Sequence, residues 1–292
     1  MKLVRFGARG REQPGIWIPN AFDDGSPGIL DVRALAFDIE DYNAHFFAHG
    51  GLTRLPFLLD DPGRTLLRAD SVRLGPPVAR PGKILCLGKN YADHAREFGG
   101  PFPTVPIIFS KAVTSLHGPF DPIRLPPMSR RVDGEVELAV VIGKTARRVR
   151  PEDAMEFIAG YTVLNDVTDR DAQAAGQQWF YGKSFDTFCP LGPFLVTRDE
   201  IPDPHALRLF ARLNGETLQD GTTADMMFRI PEILAHITAG ITLEPGDIIA
   251  TGTPSGIGSA RNPPRVLKPG DVLETGVEGL GTQRALIELD EP

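Results

Sequence analysis

Cysteine is almost missing from this chain of 292 residues: Cys86 and Cys189 stand far apart and show no Cys-x-x-Cys spacing. That argues against a disulfide framework and a thiolate metal site, and leaves two core thiols as the expectation. Long apolar runs are lacking too. No stretch approaches the roughly 20 apolar residues of a membrane helix, and the opening MKLVRFGARGREQ carries no apolar run of signal-peptide length, so a cytoplasmic protein with no membrane partner is expected. Basic residues are scattered apart from pairs such as Arg130-Arg131 and Arg147-Arg148, and the net charge is −7, which gives no footprint for nucleic acid. What the chain has in quantity is apolar surface, with 41% hydrophobic residues, enough for one large core or a main domain with a smaller companion. Small molecules are the expected partners.

Residues 1–75 are loop-rich, as in NAFDDGSPGILDV, and read as a small N-terminal domain; LGPPVARPG (74–82) reads as a linker, and residues 76–292 as the main domain. KILCLG (83–88) is a β-type run, and NYADHAREFGG (90–100) a short helix closed by Gly99-Gly100. VELAVVIG is a strand, PEDAMEFIAG a helix opened by Pro151 and stopped at Gly160, and YTVLNDV a strand again. LFARLNGETLQ places Asn-Gly between alternating residues, a hairpin signal. LEPGDIIATG and LKPGDVLETG each pass from turn to strand. With no regular βαβ alternation, the expected class is α+β, strand-rich and largely antiparallel, with only short helices in the C-terminal half.

Two glycine-containing stretches imitate nucleotide motifs. QQWFYGKS ends in Gly-Lys-Ser, but Gly176 is one residue too far from Gly182 for a P-loop, and Trp179, Phe180 and Tyr181 fill the place where backbone must fold around phosphate. In GTPSGIGSA the glycines at 252, 256 and 258 run opposite to the dinucleotide order, and RNPPR blocks the helix that would receive a pyrophosphate.

VDGEVELAVVIGK (132–144) carries the strongest chemical signal. Strand alternation sends Asp133, Glu135 and Glu137 to one side and Val136, Leu138, Val140 and Ile142 to the other. An acidic strand face is most often simply solvated. Here Ala139 and Val141 make both faces apolar further along, so the strand runs into the core, where unpaired carboxylates are costly unless a cation or proton neutralises them. Asp166, after the apolar strand of YTVLNDV, is a third candidate ligand, with a turn or cap role as the alternative. Hard oxygens of this kind suit Mg²⁺, Mn²⁺ or Ca²⁺ better than Zn²⁺.

From about residue 82 to the end the chain resembles the fumarylacetoacetate hydrolase family, through LGKNYADHAREFG, DGEVELAVVIGK, YTVLNDVTDRDAQ, QQWFYGKSFDTFCPLGP and LEPGDIIATGTPSGIG in that order. The resemblance implies a mixed β-sandwich or β-roll catalytic domain, a homodimer, and a metal held by Glu135, Glu137 and Asp166, with Asp133 supporting from behind. Relatives often carry an aromatic residue where Gly134 stands, so the site differs there. Lys183 matches a family lysine that contacts substrate oxygen, with an ordinary surface lysine as the alternative; Arg170 and Gln173 match positions that hold a keto acid, against a surface ion pair and a polar loop residue; Thr253 could hydrogen-bond its carboxylate or only stabilise a turn; and Lys111 matches a lysine near the site but reads equally well as a surface residue at a strand end. His94 and Glu97, three apart on a short helix, share a face; such a spacing is most often just a surface pair, and the resemblance favours a dyad in which Glu97 orients the imidazole for water activation. Glycines at 88, 99 and 100 fit a movable lid.

The expected activity is metal-dependent hydrolysis of the C–C bond of a 2,4-dioxo acid, an acylpyruvate or a 2,4-diketo-3-deoxy sugar acid such as the fuconate or rhamnonate derivative, giving pyruvate and a carboxylate. Oxaloacetate decarboxylation and 2-oxo acid hydration or isomerisation are the alternatives on the same scaffold. A non-catalytic, metal-dependent keto-acid binding protein is the alternative of another class.

Overall fold

The computed structural model describes residues 1–97 and 102–290. Its centre is the antiparallel pair Val136–Ile142 and Ile158–Asn165, in register from Val136↔Asn165 to Val140↔Tyr161. Both strands are buried along their whole length, which is why they read as aliphatic on both faces. Leu138, Val140 and Ile142 pack with Ile233, Leu234 and Ile237 on one side, while Ala139 and Val141 pack with Leu3, Ile16, Ile84 and Cys86 on the other. Full burial of each large aliphatic contributes about 1.5–3 kcal/mol, so this pair is firmly held.

Around it, eleven strands of the described residues make one mixed sheet. Ile248–Ala250 pairs antiparallel with Val136–Ile142 and parallel with Ile84–Gly88, which continues antiparallel to Ile107–Lys111. On the other side Leu195–Thr197 joins Ile158–Asn165 to the N-terminal strand Lys2–Phe6 through Lys2↔Val196 and Leu3↔Leu195. Residues 1–75, which the sequence suggested to be loop-rich, thus add strands to the same sheet, including Gln13–Ile18, Gly28–Asp31 and Leu66–Arg68. Within the 74–82 segment, Leu74 and Gly75 pair with Phe6 and Arg5 before the prolines take over.

A second, five-stranded sheet of the described residues is built on the hairpin Arg208–Leu213 and Glu216–Thr222. Asn214 and Gly215 both have positive φ, 53° and 83°, as the Asn-Gly signal predicts. Its apolar face packs Leu213, Leu273 and Ile287 beneath Val132 and Val167, and so braces the two segments that carry the acids.

Two helix expectations need correction. Pro151–Phe157 is a 3-10 helix and the strand starts at Ile158, before Gly160, because a β-branched residue with both faces covered pairs in the sheet. Ile230–Gly240 is an 11-residue α-helix in a half expected to hold only short ones. Glu232 accepts the Arg229 N–H at 2.8 Å, and Ile230, Ile233, Leu234 and Ile237 form its buried stripe. No helix among the described residues is long and apolar enough to cross a membrane.

Candidate active site

The acids arrive from two neighbouring segments. Glu135 precedes and Glu137 lies within Val136–Ile142, and Asp166 follows the paired strand, its N–H bonded to the Glu135 carbonyl at 2.8 Å. All three are buried, and one carboxylate oxygen of each lies within 4.8 Å of the others. Three lysine and arginine side chains meet them. Lys183 Nζ is 2.8 Å from Glu135 Oε2 and 2.5 Å from Asp166 Oδ2, and Lys111 Nζ is 2.5 Å from Asp166 Oδ1. Arg170 donates from Nε to Asp133 Oδ1 at 2.8 Å, from Nη2 to Glu135 Oε1 at 2.5 Å, and from Nη1 to Gln173 Oε1 at 3.2 Å.

Four buried carboxylates, with Asp133, therefore face three buried cations. The surplus negative charge falls on Glu137, which has no ion-pair partner among the described residues and accepts only the Gly252 N–H, at 2.7 Å. Burial, and then the neighbouring Asp166 and Glu135, push its carboxyl well above the usual carboxylate range. Burial acts the same way on Glu135, but Arg170 and Lys183 overcome it and hold that carboxyl well below the usual range. For Lys183, burial favours the neutral amine, yet Asp166 and Glu135 keep it protonated. Without a cation the Glu137 carboxyl favours its protonated form; a divalent ion would take the place of the proton and balance the fourth carboxylate, so this buried set of hard oxygen donors fits one. Asp133 bonds Arg170 and accepts the Ser259 N–H at 2.7 Å.

The glycine-rich 251–258 loop closes over the acids. Its amides serve Glu137 through Gly252 and Glu97 through Gly256, each at 2.7 Å. Gly252 has φ +95°, and a Cβ on Gly256 (φ +99°) would stand 2.2 Å from the Leu218 carbonyl oxygen, so neither position tolerates a side chain. Thr253 Oγ1 donates to the Val136 carbonyl and accepts from Gln219 Nε2, both at 2.8 Å, which ties the loop to the acidic strand and leaves Thr253 one lone pair for a ligand. The Gly-Lys-Ser of 182–184 has a packing explanation: a Cβ at Gly182 would lie 2.4 Å from the Gln173 N, so glycine lets Phe180–Lys183 rest against Arg170–Ala175.

His94, on the helix Ala92–Glu97, is buried, and its Nδ1 lies 3.1 Å from Glu97 Oε2. Gly99 and Gly100, expected to close that helix and to flank a lid, lie outside the described residues. A cavity of about 550 Å³ brings together His94, Glu97, Glu135, Glu137, Arg170 and Gln173. Lys183 and Thr253 line it as well, beside Phe109 and Trp179. The sequence reading passed over Lys89, Arg131 and Ser259 in this wall and undervalued Lys111. A single lysine at the end of a strand carries no local sign of burial. At Gly134 a Cβ would approach Leu273 Cδ2 to 2.8 Å and Asn165 Oδ1 to 2.9 Å, so this chain has no room for a side chain there. Cys86 and Cys189 are free and buried, and burial pushes the Cys189 thiol up to about 12, which leaves both as core thiols.

The sequence profile described as fumarylacetoacetate (FAA) hydrolase C-terminal matches residues 83–288. The chain belongs to the fumarylacetoacetate hydrolase family. Its family relatives include human mitochondrial oxaloacetate tautomerase FAHD2A, 51% identical over 287 residues, covering 96% of this chain and 90% of that protein. Two solved family structures superpose over nearly the whole fold. One is fumarylacetoacetate hydrolase from Exiguobacterium antarcticum, with TM-score 0.82, 36% identity and 99% coverage of both chains. The other is maleylpyruvate hydrolase from Sphingobium sp. SYK-6 in complex with manganese(II) and pyruvate, with TM-score 0.80, 30% identity and 100% coverage of both. Like its family, this chain is an enzyme with the strand-rich α+β fold.

Proposed function

We propose that this chain is a divalent-metal-dependent acid–base enzyme of 2-oxo acids, and that its reaction is the keto–enol interconversion of oxaloacetate or a similar 2-oxo diacid. The observation that carries this reading is the placing of a Glu97-backed His94 in one cavity with Glu135, Glu137 and Lys183. The 51% identity to an oxaloacetate tautomerase supports the substrate. Hydrolysis, to which the motifs point first, becomes the second reading.

Glu135, Glu137 and Asp166 would hold the ion, Mg²⁺ or Mn²⁺, with Ca²⁺ suited to the same donors. When bound it supplies Lewis-acid polarisation of the 2-oxo acid. The chain's own residues do the rest. Four carboxylates and three cations leave one negative charge, so a divalent ion turns the centre positive and a substrate carboxylate is attracted. Arg170 and Gln173 form the cavity wall that holds the acid, and Lys183 donates toward its oxygens. Glu97, fixed by the Gly256 amide, accepts the Nδ1–H of His94, so the proton exchanged with C3 passes through Nε2.

The second reading, C–C hydrolysis of a 2,4-dioxo acid to pyruvate and a carboxylate, is favoured by the size of the cavity, which exceeds the needs of a four-carbon diacid. The same imidazole would then take a proton from water. Ultraviolet decay of enol-oxaloacetate and pyruvate release from acylpyruvates, each with Mn²⁺ and with chelator, separate the two. Metal-dependent acceleration of enol decay without pyruvate supports tautomerisation; pyruvate from acylpyruvates alone replaces it with hydrolysis; neither activity refutes both.

A further inference from the structure

A second cavity, of about 680 Å³, lies where the N-terminal strands, the proline-bounded 76–81 segment and residues 113–118 meet. It shares no lining residue with the active-site cavity. Five arginines line it against three carboxylates, an excess of positive charge on a chain whose net charge is −7.

These arginines fall into two groups. Arg5 is clamped by Asp41 at 2.6 and 2.8 Å and by the Pro76 carbonyl at 3.1 Å, and Arg73 is held by Glu12 at 2.9 Å and by Asp121. Their charge is already compensated. Arg9, Arg33 and Arg80 are exposed and have no ion pair or side-chain hydrogen bond among the described residues. Arg80 sits between Pro77 and Pro81 with φ +47°, a left-handed backbone conformation uncommon outside glycine.

The lining also includes His117, which is 3% exposed. Its Nε2 lies 2.9 Å from the Pro122 carbonyl, which can only accept, so Nε2 carries the proton in the neutral ring. Nδ1 is then a bare acceptor, and it is buried without a partner. Such an atom is costly to leave unsatisfied. The cavity therefore offers guanidinium donors for anionic oxygens, and the buried acceptor of His117 stands in its wall. A carboxylate ion has no proton to give, whereas a phosphate group keeps an acidic O–H for part of the time near neutral pH, its second pKa being about 6, and its remaining oxygens match arginine forks.

We propose that this cavity is a second ligand site, separate from the active site, for a small phosphate-bearing anion held by Arg9, Arg33 and Arg80 with its O–H directed to His117 Nδ1. The test is calorimetric titration of the Mn²⁺-saturated protein with inorganic phosphate, glycerol 3-phosphate and succinate, which carries two carboxylates and no hydroxyl, comparing wild type with R9A/R33A/R80A and with His117→Phe. Exposed, unpaired arginines are dispensable for folding, so the triple variant should keep wild-type thermal stability and turnover. The proposal expects one saturable phosphate or glycerol phosphate site per chain, weakened at least tenfold in the triple variant and severalfold in His117→Phe, with succinate binding more weakly than either. No saturable phosphate binding, binding unchanged in the triple variant, or succinate binding as tightly as phosphate would each overturn it.

Discussion

Replacing Lys111 by Met separates the charge of this buried lysine from its volume. Lys111 is 2% exposed, and its Nζ lies 2.5 Å from Asp166 Oδ1 and 3.3 Å from the Val167 carbonyl, with a further bond to the Lys183 carbonyl. Methionine keeps most of the aliphatic stem and removes all three donors. Deleting one partner of a buried ion pair costs about 3–5 kcal/mol, because the other charge is left uncompensated. Asp166 still has Lys183 at 2.5 Å, so the lower end applies, about 3 kcal/mol. A divalent ion bound only by the native state returns about 2.7 kcal/mol at a hundred times its Kd. It should return more in Lys111→Met than in wild type, since it restores positive charge beside Asp166. Urea unfolding followed by the fluorescence of Trp17 and Trp179, with EDTA and with saturating Mn²⁺, reads both terms. The expected result is a loss of about 3 kcal/mol in EDTA that shrinks with Mn²⁺. A loss below about 1 kcal/mol in EDTA, or one that grows with Mn²⁺, refutes the charge balance described for the centre.

Glu97→Gln should lower turnover roughly 10- to 100-fold while Mn²⁺ affinity stays at the wild-type value, because Glu97 orients His94 and does not touch the metal acids; a matched loss of metal affinity, measured by calorimetry, would contradict that division of labour. Burial pushes the His117 imidazole down to about 4 from its ordinary 6.5. The unfolded chain therefore binds a proton that the native state refuses, so stability is intact above pH 6.5 and declines toward pH 4. The loss is about 3 kcal/mol by pH 4, and denaturation profiles of His117→Phe should lack this part of the slope. Gly88→Ala places a Cβ 2.4 Å from Trp179 Cζ3 and should drive the indole into the cavity, raising KM severalfold with a smaller effect on kcat; unchanged steady-state constants would show that Trp179 has room to retreat.

The buried acidic cluster was legible because strand alternation and the apolar run of VELAVVI together show charge entering a core, and because the ordered motifs point to Asp166 as its third member. Lys111 was legible only through the family resemblance, since its burial comes from contacts with residues 166, 167 and 183 that no local pattern encodes. The helix Ile230–Gly240 was readable in principle from Pro231, Glu232 and the apolar spacing, and its neighbourhood of turn signals concealed it. The N-terminal strands are short and bounded by Gly, Pro and Asp, so their composition resembles loop until Lys2–Phe6 finds Leu195–Thr197. The arginine-lined cavity draws on residues 9, 33, 80 and 117, and only tertiary structure brings them together.

The central claim is that His94 moves a proton on a 2-oxo acid held at the Glu135, Glu137 and Asp166 centre. Its most direct test is the initial rate of enol-oxaloacetate decay and of pyruvate release from acylpyruvates by the Mn²⁺-loaded enzyme, for wild type and His94→Asn. A metal-dependent rate that falls by a factor of about 10² to 10⁴ in His94→Asn, with Mn²⁺ binding preserved, is the predicted result. A His94→Asn rate equal to wild type, or a wild-type rate indifferent to chelator, would contradict it.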